Sequence, residues 1–428
     1  MTNISWPRRK LLALAAIALL YVLLGVVFKL LVYEGVVPRM ATVVEANDGN
    51  DTGPALDPKM VGERLAAAQS FVEQKNRRAN GHIDLYWLAQ NASFPGHDDT
   101  NSEAVSYYLL WTAQAKEKAA FDKELGFVEK SMVHPAGGYL QWRLTANDRV
   151  VTDGGNIASD ADLRAIRALL IAEKQWNESE YTAMIDRLAK GLERAAITQD
   201  GLLAPYGGIS GNKSWSANES WLSYGDFTVF RELALRRGHP WDTVYEKMKA
   251  ATLGAQLQNG LYNSQLTQRR EYGNNIDGNG YSINSMWMMI RNAESNDSAL
   301  VASAARSLAF YRRQFGLNVE LDPLYDSGGN ALSPGDAPWV YALVGRAAVA
   351  LGDREFADAM VGRLLEHQVV TCNSSLYGAF PEGGDATLRV GQFTMQESIL
   401  TLQDWLRSRG ERLPQDAVAG SKAACISS

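Results

Sequence analysis

From Pro58 onwards the chain repeats with a step near sixty residues, and that period limits the folds open to it more than any other feature. Apolar residues spaced by three and four predict helices near 58–76, 101–115, 117–132, 158–175, 178–198 and 218–237. Further helices are predicted near 239–255, 279–294, 296–315, 337–351, 353–368 and 392–408. They fall into pairs with a short connector inside each pair, such as Arg237-Gly238-His239-Pro240 or Leu351-Gly352-Asp353. The connectors between pairs, at 198–217, 256–278 and 316–336 for example, are long and rich in Gly, Asn, Asp and aromatics. Glu103, Asp160, Ser220, Gly280, Ala337 and Phe393 stand near the starts of the leading helices, in steps of 57, 60, 60, 57 and 56 residues. Repeated helical hairpins can stack as an open solenoid. Six of them can also close into a double ring with the long loops gathered at one end, where functional residues usually sit.

The segment before the repeat is of another kind. Leu11 to Val32 is almost uninterruptedly apolar and long enough to cross a bilayer, with Arg8-Arg9-Lys10 just ahead of it. The expectation is a cytoplasmic stub at 1–10, an uncleaved transmembrane anchor at 11–33 and a polar linker at 34–57. A domain at 58–410 would then lie outside the cytoplasmic membrane, followed by a tail at 411–428. Net charge is −6, and the first 39 residues are basic (Arg8, Arg9, Lys10, Lys29 and Arg39 against Glu34), so the remainder is more acidic still. Nucleic acid is not an expected partner. Cys372 and Cys425, the only two cysteines, could form one bridge or stay free, and the five histidines (82, 97, 134, 239, 367) show no ligand spacing. No metal or other cofactor is expected.

Three stretches carry candidate chemistry. Ile157-Ala158-Ser159-Asp160-Ala161-Asp162 puts two carboxylates at the mouth of an apolar helix. Ser159 or Asp160 could simply cap it, but two acids exceed what a cap needs. His97-Asp98-Asp99-Thr100-Asn101-Ser102-Glu103 leads into Tyr107 and Trp111. Glu103 either complements the helix dipole or, partly desolvated by those rings, holds a proton for a leaving group. The loop at 270–284 contains Asp277 among hydrogen-bonding groups, and there an Asp-Gly turn is the alternative. Asp226 reads as an acid inside an apolar helix and is a competing candidate. Asp336 and Glu397 are weaker candidates, for which helix capping is sufficient reason. Aromatics crowd the long loops, and flat rings edged by amides suit the faces of sugars. No phosphate-cradling loop or Gly-x-Ser-x-Gly elbow is present, so carboxylates with aromatics point to glycosidic-bond chemistry.

Ala158-Ser159-Asp160-Ala161-Asp162, with Ala168-Leu169-Leu170, Ala172 and Trp176, resembles the signature of glycoside hydrolase family 8. Ser102-Glu103 with Tyr107 matches that family's Ser-Glu-Gly-Gln-x-Tyr segment at the glutamate and the tyrosine, with Ala104-Val105 replacing Gly-Gln. Ala119-Ala120-Phe121-Asp122 and Trp142 also fit. The resemblance, over roughly 60 to 408, implies an all-α fold, an (α/α)6 barrel of six hairpins. It implies Glu103 as general acid and Asp160 as the carboxylate that holds the distorted sugar. The family's usual base would fall near Ser282, after Tyr281, and Asp277 lies a few residues earlier.

Together these readings predict an inverting endo-glycosidase acting on a β-linked exopolysaccharide, cellulose-like or a poly-hexosamine, outside the membrane that anchors it. Glu103, Asp160 and Asp277 are the expected catalytic residues, with Asp226 as alternative base. Tyr107, Trp111, Trp142, Trp215, Tyr272, Tyr281 and Trp339 are the expected sugar-binding residues. The other readings are a polysaccharide-binding or regulatory subunit of a polysaccharide synthase complex, and a polysaccharide lyase.

Overall fold

The computed structural model describes residues 56–88, 95–151, 157–211, 213–274, 277–278, 280–382 and 389–414. The expected anchor at 11–33, the linker up to 55 and the tail from 415 lie outside the described residues. Among the described residues no helix is long and apolar enough to cross a membrane. Cys372 is disulfide-bonded, which removes the free-thiol alternative for it; Cys425 lies outside the described residues.

Twelve α-helices occur among the described residues. They are α1 (Pro58–Phe71), α2 (Ser102–Ala115), α3 (Lys118–Phe127), α4 (Ser159–Trp176), α5 (Ser179–Ala195) and α6 (Phe227–Arg237). They continue with α7 (Trp241–Gly254), α8 (Ile283–Ala293), α9 (Ser298–Asn318), α10 (Pro338–Ala350), α11 (Arg354–Glu366) and α12 (Gln392–Ser408). From α2 to α11 each odd-numbered helix packs on the even-numbered one before it. The sixth hairpin joins the two ends of the repeat: α12 packs on α1. This closes the ring and rules out the open solenoid.

The even-numbered helices form the inner ring. Contacts run α2–α4–α6 on one side and α8–α10–α12–α2 on the other, and a 3-10 turn at Leu222–Tyr224, just before α6, packs on α8. Position in the ring explains the sequence patterns. The outer helix α5 buries one stripe (Tyr181, Met184, Ile185, Leu188, Ala189, Leu192), as a one-sided helix should. The inner helix α12 is buried nearly all round, polar residues included (Gln396, Glu397, Ser398, Thr401, Gln403).

The long connectors hold two- and three-stranded antiparallel sheets, so the described fold is a helical barrel with small β-elements at its loops. One expectation needs correction. The helix predicted over 218–237 is broken. Ser220–Trp221 is a strand, Gly225 is extended, and α6 starts at Phe227 with Asp226 as its N-cap, the carboxylate accepting the Val229 N–H at 3.1 Å. Asp226 is therefore at a helix start, because its side chain satisfies a first-turn donor that a continuous helix would have bonded to its own carbonyls.

One sheet fixes the mouth of α4. Ile157–Ala158 pairs with Gly207 and Tyr206 of the strand Tyr206–Ser210, which pairs in turn with Lys213–Ser216. A Cβ on Gly207 would lie 1.8 Å from the Ala195 carbonyl oxygen and 2.7 Å from that of Trp215, both backbone atoms that cannot swing aside. Gly207→Ala is expected to lower the unfolding free energy by about 1–3 kcal/mol, read as a lower urea midpoint at an unchanged m-value; an unaltered midpoint would contradict this packing.

Candidate active site

Asp160 and Glu103 occupy the first turns of the neighbouring inner helices α4 and α2. The chain enters α4 as a pinned strand: the Ser159 hydroxyl donates to the Ala204 carbonyl at 2.7 Å, and the Ser159 N–H donates to that of Pro205 at 3.1 Å. Neither Ser159 nor Asp160 caps the helix, contrary to the capping alternative. Asp160, 6% exposed, instead accepts from Arg164 Nη2 at 3.1 Å, one turn further along. Asp162 faces the core, where its carboxylate accepts the Leu140 N–H at 2.9 Å and burial pushes its pKa well up. The two acids of this motif thus have separate roles, one at the site and one in the scaffold.

On α2, Asn101 caps the helix by accepting the Ala104 N–H at 2.8 Å, which leaves Glu103 free of that duty. Burial pushes the Glu103 carboxyl up to about 7; the negative charges of Asp160 and Glu397 add to this, while Arg164 pulls it down. Glu103 also lines a small cavity of about 100 Å³ with Tyr86, Tyr107, Glu382 and Phe393. A larger cavity of about 860 Å³ opens at the far end of the barrel, among Arg167, Glu294, Arg346 and Asp404. It lies where the inner helices end and carries none of the carboxylates at their mouths.

The remaining predicted residues separate by position. Asp277 stands before α8, where one carboxylate oxygen accepts from Asn284 Nδ2 at 2.7 Å and the other is buried without a partner among the described residues. Burial raises its pKa. Asn284 in turn accepts from the Ser223 hydroxyl at 2.7 Å, and Tyr224, next in the chain, lies in the field of Asp160 and Glu103. Ser282, at the family's base position, donates its hydroxyl to the Pro323 carbonyl at 2.6 Å. Asp226 is buried between Arg167 (3.3 Å) and Arg291 (3.1 Å), so both guanidiniums compete with any water for its carboxylate.

Among the aromatics, Trp111 is wholly buried against Tyr108 with ring centroids 4.7 Å apart, so its expected sugar contact is corrected to core packing. It lies two turns down α2 from Glu103. Tyr107 is buried beneath Glu103, its hydroxyl donating to Glu397. Tyr281 is 8% exposed, and its hydroxyl donates to Asn263 at 3.0 Å. Trp142 and Trp339 are half-buried. Trp215 and Tyr272 are 37% and 43% exposed, and Tyr206 matches them at 38%. Tyr206 has Trp215 at 6.5 Å and Trp221 at 6.3 Å, and Trp221 has Tyr224 at 5.1 Å, so a file of rings leads outward from the carboxylates.

Sequence reading missed Arg164 and Tyr224 and took Glu397 only as a weaker candidate. The Asp160–Arg164 spacing of four was a legible signal. Glu397 was assigned to a helix cap, but it sits within α12, 1% exposed.

The described residues thus form a closed ring of six helical hairpins with paired carboxylates at its mouth. Residues 91–291 match the family model of glycosyl hydrolases family 8. It is similar to an endoglucanase of Escherichia coli, 31% identical over 159 residues, which are 34% of this chain and 41% of that protein. The chain thus spans about two fifths of the length of that curated relative. In fold it is similar to a family 8 endoglucanase of Klebsiella pneumoniae (TM-score 0.55, 18% identity, 79% of this chain and 99% of that one). It is also similar to an α-amylase of Clostridium perfringens (TM-score 0.70, 22% identity, 80% and 97%).

Proposed function

We propose that this chain is an endo-acting glycosidase that cleaves a β-linked exopolysaccharide by an inverting acid/base mechanism, held at the outer face of the membrane by the apolar run at 11–33. The observation that carries the reading is the half-buried Glu103, its carboxyl pushed up to about 7, beside Asp160 at the adjoining helix mouth. Two acids in unlike surroundings can divide the work, one keeping a proton and the other a charge.

In this reading Glu103 protonates the glycosidic oxygen as the bond to the leaving sugar breaks. Asp160, fixed by Arg164, holds ring hydroxyls and supports the developing positive charge. Asp277 takes a proton from the attacking water, positioned through Asn284 and Ser223. The file from Tyr224 through Trp221 and Tyr206 to Trp215 offers flat faces to successive sugars of a long chain, which suits endo cleavage. The β-linkage rests on the endoglucanase relatives; fold alone does not choose it, since an α-amylase shares the barrel.

The test is reducing-end release from cellulose-like, chitosan-like, mannosamine-type and starch-type polymers, with a pH profile on the polymer that is cleaved. An acid must keep its proton, so a carboxyl raised to about 7 stays competent up to that pH and kcat/KM is lost above it. An alkaline limb at pH 4–5, the ordinary carboxylate range, would remove Glu103 from the role. Preference for starch would overturn the β-linkage, and binding without cleavage would favour the polysaccharide-binding reading.

A further inference from the structure

A single oxygen of Glu397 receives two ring donors from different helices. Tyr107 on α2 donates its hydroxyl to Glu397 Oε1, and Trp287 on α8 donates its indole N–H to the same atom at 3.2 Å. The second oxygen is held by Arg346 Nη1 at 2.9 Å. The two rings so gripped lie on the guanidinium of Arg164, whose Cζ is 3.9 Å from the Tyr107 centroid and 5.9 Å from that of Trp287. Arg164 is the cation that pairs with Asp160. It also donates to the Ser106 hydroxyl at 3.2 Å. Besides these two polar partners its guanidinium rests on the two rings, and both rings are tied to one carboxylate.

We infer that Glu397 is a positioning residue of the active site, acting through the rings of Tyr107 and Trp287 to clamp the Arg164 guanidinium between Asp160 and Glu103. The inference rests on the glycosidase reading for its kinetic consequence, though not for its geometry. A carboxylate at 1% exposure needs strong partners, and Arg346 alone could supply them. The ring donors add direction: they fix two flat faces that attract a cation. Glu103 is faced by Asp160 and Arg164 from α4, Glu397 from α12, Tyr107 from its own helix, Tyr224 from the turn before α6, and Tyr86 and Glu382 from the loops. Arg164 is the cation that draws the Glu103 carboxyl down, so loosening it should raise that carboxyl.

The test compares Tyr107→Phe, Trp287→Phe, Glu397→Gln and the Tyr107→Phe/Glu397→Gln double variant. Tyr107→Phe keeps the ring and deletes the grip, with no change of charge. It is expected to lower kcat about tenfold at nearly constant KM, and to move the alkaline limb of kcat/KM upward by about half a pH unit. Trp287→Phe should move both in the same direction. In the Glu397→Gln background Tyr107→Phe should cost little more, since both act on one contact. An unmoved limb with kcat within about twofold of wild type, or penalties that multiply in the double variant, would overturn the clamp. If Glu397→Gln does not fold, the two ring variants decide alone. If the wild-type protein cleaves none of the polymers, the glycosidase reading falls by itself. The clamp is then read from the carboxyl 13C titration of Glu103 in the full-length protein, where Tyr107→Phe should raise the midpoint and an unchanged midpoint would refute it.

Discussion

Glu103→Gln is expected to lower kcat by about 10²- to 10⁴-fold, the range that general-acid catalysis contributes. The substitution keeps size and shape but cannot release a proton to the glycosidic oxygen. The loss should lie in kcat rather than in polymer binding, because the file of rings from Tyr224 to Trp215 is untouched. The fold should not suffer. A carboxyl raised to about 7 is one whose ionised form the site disfavours, so the native state loses stability as pH rises through that value, and the amide carries no such cost. At pH 8 the variant should therefore unfold at a urea concentration no lower than wild type. Wild-type turnover in Glu103→Gln would sink the assignment outright.

Arg346→Met is expected to have the largest effect on stability. Arg346, 2% exposed, meets three carboxylates: Asp404 through Nε at 3.1 Å, Glu397 through Nη1 at 2.9 Å and Glu294 through Nη2 at 3.1 Å. Removing it takes a buried cation from three acids, although Glu294 keeps Arg167, Asp404 keeps Arg407 and Glu397 keeps its two ring donors, and breaking such a buried pair costs about 3–5 kcal/mol. The deficit should depend on pH. Burial pushes Glu294 up, but Arg167, Arg346 and Arg291 outweigh it and hold the carboxyl at about 2. A depressed carboxyl stabilises the fold above its unfolded value and loses that contribution as pH falls towards the folded one. The gap between wild type and variant in urea unfolding should thus be widest near neutrality and narrow below about pH 4, near the unfolded value. A gap that is absent at pH 7, or constant with pH, would show that the three-way pairing contributes nothing net.

The two variants affect different layers of one polar axis. Glu103 and Asp160 form the reacting end. Arg164, Tyr107 and Trp287 lie beneath them, then Glu397, then Arg346 with Asp404 and Glu294. Charges this deep in a barrel need partners on every side. The inner helices bring those partners from chain positions as far apart as 107 and 397, and the same arrangement sets the environment that raises Glu103.

What the sequence determined by itself was local and periodic. Apolar spacing marks nearly every helix within a few residues, because each outer helix has one face to bury and shows it. The sixty-residue step placed Glu103 and Asp160 at the mouths of successive leading helices, and short motifs around both could be matched to a family. Tertiary structure decided what depends on pairing across the ring. It closed the sixth hairpin with α1, more than three hundred residues before α12. It took Asp226 out of contention by setting two arginines on it, sent Trp111 into the core, and turned Glu397 from a supposed cap into the anchor of two rings. The physical reason is common to these cases. A carboxylate's protonation and partners are set by burial and by charges a few ångströms away, and in a closed barrel those neighbours come from other turns of the ring, whose proximity no local pattern encodes.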